Sequence, residues 1–321
     1  MEPTMCIHLL SARGATAFAI LWGLVACGAS EPTAPPDMVL VPAGEFIMGS
    51  DKVDTEGLQQ RYGMVKPLYA DEHPQQRVFL KSFYIDRYEI SNSQYKEFTH
   101  KTRHQEPFEW SQNGYNLAPE RLGQSDLSAL RWIASDYFKL DVDTKHLDKA
   151  ELLRLMAEKR SFLDRLPVAG VMWQDADAYC RFQQKRLPNE AEWEKAARGT
   201  DGFEFPWGNT WSPDVINAGD NTQWDNGIAP IGTYPSSKSP YGVYDMAGNV
   251  WEWVADDYHP YAGNKEPNPD YAARKKVLRG GGGGGIGHYA ISQFFRSAAR
   301  QSSDPRATGV DVGFRCAQDA R

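Results

Sequence analysis

The chain has 321 residues, with 35 Lys and Arg against 42 Asp and Glu and a formal net charge of −7. Its 41% hydrophobic, 12% aromatic and 24% charged residues are the proportions of a soluble globular protein, which excludes a disordered chain, a coiled coil and a collagen-like repeat. No basic excess or Lys/Arg-rich block is present, so nucleic acid is excluded as a partner, and four cysteines are too few for a disulfide framework.

Residues 15–25 (ATAFAILWGLV) form an uncharged apolar run of secretory-signal length behind a weak positive region at His8 and Arg13. Glu2 opposes that charge. Initiation at Met5 would remove it, and the sequence leaves both starts open. The run is too short to cross about 30 Å of hydrocarbon as a helix. It leads into Leu24-Val25-Ala26-Cys27-Gly28, which resembles a bacterial lipobox: the small Ala26 suits a signal-peptidase pocket, and the Cys27 thiol is the nucleophile that takes the lipid. An ordinary secretory signal with an incidental Cys27 is the alternative. The lipobox reading gives a signal peptide at 1–26, a Pro-rich tether at 27–37 and one domain at 38–321. Acyl chains would anchor it in the bacterial cell envelope, periplasmic or surface-facing.

Met38-Val39-Leu40-Val41-Pro42 and Gly44-Glu45-Phe46-Ile47-Met48-Gly49 read as two short strands about a turn, and residues 79–86 alternate as another. Ser91 opens a helix running to about His100, with Gln94 at the capping-box position and Ile90 and Tyr95 spaced as a hydrophobic staple. Residues 107–166 read as an insertion decorating the surface, with helical periodicity over 148–162. Residues 173–185 form a helix carrying Ala176, Tyr179 and Cys180 on one face. Asn189 and Glu192 box the start of the next helix, which Gly199 ends as a left-handed residue. Beyond Gly199 the pattern is mostly turns, interleaved with Trp207, Trp211, Trp224, Trp251 and Trp253.

Several segments together resemble the formylglycine-generating enzyme (sulfatase-modifying factor) family. In order they are residues 41–49, Asp86-Arg87-Tyr88-Glu89-Ile90-Ser91-Asn92, Pro167-Val168 to Trp173, Lys185-Arg186-Leu187-Pro188-Asn189-Glu190-Ala191-Glu192-Trp193-Glu194, and Phe205-Pro206-Trp207-Gly208. Asp245-Met246-Ala247-Gly248-Asn249-Val250-Trp251-Glu252-Trp253, Arg279-Gly280-Gly281, Ala298-Ala299-Arg300 and Gly313-Phe314-Arg315-Cys316 follow, so the resemblance covers 38–317 apart from the insertion. It implies an α+β fold: irregular, C-type-lectin-like, with few regular elements and often calcium-stabilised.

The resemblance pairs Cys180 with Cys316 as a disulfide, which an exported chain can form. On the residues alone, two buried free thiols are the alternative. The family's other structural pair would fall at Ala197 and Ser297, and both cysteines are absent together. For calcium, the resemblance implies Asp245, the Gly248 and Val250 carbonyls and Glu252 as one ligand set, and Asn217, the Ala218 carbonyl and Asp225 as a second. Hard cations need several oxygens in one compact turn. A solvated acidic turn is the alternative.

Family members oxidise a substrate cysteine with two cysteines that bind copper(I), an ion that requires soft thiolates. Counting back from Ala298-Ala299-Arg300 places them at Gly287 and Ser292, and no other cysteine can substitute. Residues 280–285 are consecutive glycines, which offer no side chains there. Copper is therefore disfavoured. His100-Lys101-Thr102-Arg103-His104-Gln105-Glu106 matches the H-x3-H-x-E ligand motif of iron-dependent sulfoxide synthases related to this family, and on a helix His100 and His104 would share a face. Those enzymes carry the motif on a separate helical domain that is missing here. The two histidines equally suit a helix C-terminus, so iron is also disfavoured. No P-loop, dinucleotide fingerprint, nucleophile elbow or HExxH helix occurs.

Two functions are consistent with these residues. The preferred one is a membrane-anchored binding or scaffolding lipoprotein without formylglycine-generating activity, whose partner is another envelope protein, a peptide or a glycan. The other is an envelope enzyme with cysteine-independent oxidative chemistry, like the family member that matures a siderophore chromophore. Its cleft candidates are His288, Ser292, Arg296 and Arg300, although Arg300 could equally be a salt-bridge residue beneath the cleft.

Overall fold

The computed structural model describes residues 35–219, 224, 227–283 and 292–320. The signal peptide, Cys27 and most of the tether fall outside them.

The chain begins with β1 (Met38–Val41), β2 (Gly44–Met48) and the single helical turn α1 (Leu58–Arg61). Residues 79–86 are not one strand: β3 (Gln76–Leu80) pairs with β2, and β4 (Phe83–Asp86) pairs with β1. All four β4 residues are buried, so the alternation that marks a half-exposed strand is lost where the chain changes sheets. In α2 (Asn92–Thr102) the capping box forms as expected: the Gln94 N–H donates to Ser91 Oγ at 3.3 Å, and the Ser91 N–H donates to Gln94 Oε1 at 2.8 Å.

The insertion is a helical unit of α3 (Phe108–Gln112), α4 (Pro119–Gln124), α5 (Leu127–Asp136) and α6 (Lys149–Asp164). Leu122, Leu130, Ala134, Phe138, Leu152 and Met156 form a small core of their own. It is more than decoration, because Trp110, Tyr115, Leu163 and Leu166 belong to the main core. The Trp110 indole also donates to Asn92 Oδ1 at 2.9 Å.

The next helix, α7 (Trp173–Phe182), stops short of the expected Lys185, with Gln184 at φ 58°. In α8 (Glu190–Arg198) Asn189 and Glu192 exchange both capping bonds. Gly199 follows at the expected positive φ, 70°, but its ψ of −161° is not that of a left-handed helical residue; it is a conformation that only glycine adopts readily, and a Cβ there would lie 3.0 Å from Pro240.

The turn-rich half hides a four-stranded sheet. It consists of β5 (Trp251–Asp257), β6 (Lys276–Arg279), β7 (Gln301–Ser303) and β8 (Val312–Phe314), in the order β7-β6-β5-β8. β5 runs parallel to β8, and the other pairs are antiparallel. Finally β9 (Ala317–Asp319) pairs with β4, giving β1-β4-β9.

Cys180 of α7 is bonded to Cys316, the residue before β9, as the resemblance implied. The link closes a sequence separation of 136 residues, which the chain-entropy model values at roughly 4–5 kcal/mol.

Candidate functional site

The family's copper position falls on the short helical turn Ser292–Phe295, which precedes β7. Ser292 is half-buried, and among the described residues its hydroxyl reaches the neighbouring Gln293 Oε1, at 3.3 Å. Gly287 and His288 lie outside the described residues.

The two arginines offered as cleft groups are committed elsewhere. Arg296 is buried and donates from Nη1 to both oxygens of Glu72, at 2.7 and 2.8 Å, and from Nε to Glu204 Oε1 at 2.6 Å. Arg300 is also buried. It donates to both oxygens of Glu190, at 2.6 and 2.9 Å, and to the carbonyls of Asp71 and His259. Neither guanidinium is free to clamp a substrate, so Arg296 is corrected to a structural residue, and Arg300 takes its salt-bridge alternative.

Beside the Ser292 turn is a cavity of about 660 Å³, lined in part by Tyr69, Trp251, Leu278, Phe294 and Arg300. The segments 64–72 and 266–275 complete its walls. No motif marks either segment in the sequence, because each contributes through tertiary placement rather than spacing.

The turn at 245–252 is organised by protein groups. Arg315 donates from Nη2 to Glu252 Oε1 and from Nε to Oε2, both at 2.7 Å, and the Trp193 indole donates to Oε2 at 2.9 Å. Asp245 accepts from the Gly232 N–H at 2.7 Å, and burial pushes its carboxyl up to about 6. Burial, together with the Asp245 charge, also raises the Glu89 carboxyl, although Arg315 and the Asn249 amide oppose it. Gly248 sits at φ 82°, where a Cβ would lie 2.4 Å from the Asn217 carbonyl oxygen. A hard cation needs about six or more oxygens. Both Glu252 oxygens are already held by protein donors, so the set of Asp245, Gly248, Val250 and Glu252 is a poor fit to calcium.

Asn217 knits the neighbouring loops together. Its amide donates to the Gly227 carbonyl at 2.6 Å and to Asn249 Oδ1 at 3.1 Å, while its Oδ1 accepts from the Gly219 N–H at 3.3 Å. Ala218 is buried beside it, and Asp225 lies outside the described residues.

The histidine pair does not share a helix face. α2 ends at Thr102 and Arg103 turns to φ 59°, leaving His100 exposed on the helix and His104 beyond its end. His104 Nε2 lies 2.8 Å from Asp175 Oδ1. Among the described residues, no three His, Cys, Asp or Glu side chains are grouped to hold a metal.

Residues 26–320 match the family model described as Sulfatase-modifying factor enzyme 1-like domain. The chain is similar to the formylglycine-generating enzyme of Streptomyces coelicolor, at 32% identity over 91% of this chain and 92% of that protein. It is also similar to the inactive C-alpha-formylglycine-generating enzyme 2 of Mus musculus, at 31% identity over 89% of this chain and 86% of that protein. The solved structure of PvdO from Pseudomonas aeruginosa shares the fold, with a TM-score of 0.56 and 24% identity over 88% of this chain and 94% of that one.

Replacing Arg296 by Met strands the buried carboxylate of Glu72 and leaves the half-buried Glu204 with Lys52 alone. The expected cost is about 3–5 kcal/mol, read from the denaturant midpoint. A loss below about 1 kcal/mol, the range of an exposed pair, would return Arg296 to the cleft.

Proposed function

The chain belongs to the sulfatase-modifying factor (formylglycine-generating enzyme) family, and from that premise we propose that it is a membrane-anchored envelope lipoprotein whose domain binds or scaffolds a partner and has no formylglycine-generating activity. The observation that carries this reading is the fate of the cysteines. Cys180 and Cys316 are joined to each other, and the remaining two, Cys6 and Cys27, precede the domain. The family's thiolate positions hold Gly287 and Ser292, which cannot supply soft ligands to copper(I). Similarity to a relative named as inactive supports the same reading, and the cavity beside Ser292 offers a place for a ligand. The alternative of cysteine-independent oxidation in this cleft has lost Arg296 and Arg300 to buried ion pairs, leaving Ser292 and His288.

Anchoring rests on the lipobox, with acyl chains on Cys27 and the Pro-rich tether spacing the domain from the bilayer. No helix among the described residues is long and apolar enough to cross a membrane. We keep calcium as a structural ligand at the second set only, Asn217, Ala218 and Asp225.

Full-length protein in detergent, supplied with copper(I) and a cysteine peptide of the family's substrate type, is expected to form no aldehyde by mass spectrometry. Stoichiometric conversion would overturn the reading. Cys27→Ala should move the protein from the detergent to the aqueous phase on partitioning, and unchanged partitioning would remove the lipid anchor. Metal analysis should find one equivalent of calcium, whose chelation lowers the melting temperature. Two equivalents would reinstate the Asp245 set, and none would remove calcium altogether.

A further inference from the structure

Part of the cavity wall is apolar, formed by Tyr69, Trp251, Leu278 and Phe294. Another part is a charged cluster. Lys275 donates to Asp270 Oδ1 at 2.7 Å, and Ser302 Oγ donates to Asp270 Oδ2 at 2.6 Å. Lys66 also donates to Asp270 Oδ2 and reaches Ser302 Oγ at 2.9 Å. Burial pushes the Asp270 carboxyl up, but the lysines and the serine outweigh it and hold the group well below the usual carboxylate range. Asp270 is thus a firm anion shared by two cations.

Within this three-residue cluster, that sharing leaves one positive charge and several ammonium N–H donors over. Of the other acids nearby, Glu72 is held by Arg296 and Asp304, which also feels Lys275, by Arg306; Asp71, which accepts from the neutral Tyr258 hydroxyl, and the exposed Glu266 are carboxylates of the lining with no ion pair to either lysine. Arg300, the third cation of the lining, is neutralised by Glu190. The Lys66 and Lys275 side chains are 42% and 30% exposed, so an incoming group can reach them. At the rim Val65, next to Lys66, is 97% exposed. The volume of about 660 Å³ suits one or two side chains or a small molecule, not a folded partner.

We propose that this cavity is the binding site of the module and that it takes a carboxylate carried on an aromatic body. The carboxylate joins the Lys66–Asp270–Lys275 cluster as its second anion, and the ring lies against Tyr69, Trp251 and Phe294. The assignment rests on the binding reading above and names its ligand class. The chemistry has two sources, a free arylcarboxylate or the C-terminal carboxylate of a peptide that ends in an aromatic residue.

Calorimetric titration of the full-length protein in detergent tests it, with 3-phenylpropionate, the peptide Ala-Ala-Phe and the C-terminal amide of that peptide as probes. The peptide acid should bind about tenfold or more tightly than its amide, because only the acid forms charge-assisted hydrogen bonds to the lysines. Lys275→Met should erase that difference with only a small fall in melting temperature, since the other lysine still holds Asp270, and Lys66→Met should do the same. If 3-phenylpropionate binds as tightly as the peptide acid, the ligand is a free arylcarboxylate; a tighter peptide assigns the site to a chain terminus. The proposal is overturned if neither acid binds, if acid and amide bind alike, or if the acid keeps its advantage in both lysine variants. The two readings fail separately: aldehyde formation on a cysteine peptide would sink the binding reading whatever these probes do, and failure of the probes would sink only the ligand assignment.

Discussion

The fold depends on ion pairs taken out of water. All of α8 except Ala191 is buried, including Glu190, Glu192, Glu194, Lys195 and Arg198, and a helix buried on every side with charged residues is tolerable only if each finds a partner. Glu194 holds Arg198 of its own helix and Arg279 of β6. Glu190 holds Arg300, next to β7, and Lys195 donates to the carbonyls of Pro42 and Gly44 at the first strands. One helix thus ties both ends of the domain to the four-stranded sheet. Trp193 extends the network from the same helix, through Glu252 of β5 to Arg315.

This network explains where the sequence was legible and where it was not. Local signals were read correctly because their partners are three or four residues away: the boxes at Ser91–Gln94 and Asn189–Glu192 form as expected. The partners of Arg296 and Arg315 are not local. Arg296 bonds Glu72 at a separation of 224 residues, and Arg315 bonds Glu252 at 63, so a charge that looks available in the sequence is already spent in the fold. β5 was missed because Trp251, Glu252, Trp253 and Val254 are all buried, which removes the alternation that identifies a strand. The two histidines sit where a helix end suits them, His100 in the last turn of α2 and His104 beyond Arg103.

The candidate site was only half legible. Its chemistry by subtraction, the missing thiolates, can be counted from the chain, whereas the cavity walls are assembled from segments without a motif. A domain whose buried charges and disulfide are set by scaffolding needs can lose a catalytic pair without losing its shape. Gln293 and Phe294, which follow Ser292, border the cavity.

The three-stranded sheet has one more consequence. Its central strand β4 is flanked by β1 and β9, the first and last of the described strands, while Cys316 immediately precedes β9. A chain threaded through a membrane from its N-terminus delivers β1 and β4 long before their third neighbour. Until residues 316–319 emerge, β4 presents an unpaired edge and Cys180 a lone thiol. Emergence of this tail is the event that seals the domain, so a chain exported as proposed above would have to be shielded, while half-delivered, from its neighbours on the far side of the membrane.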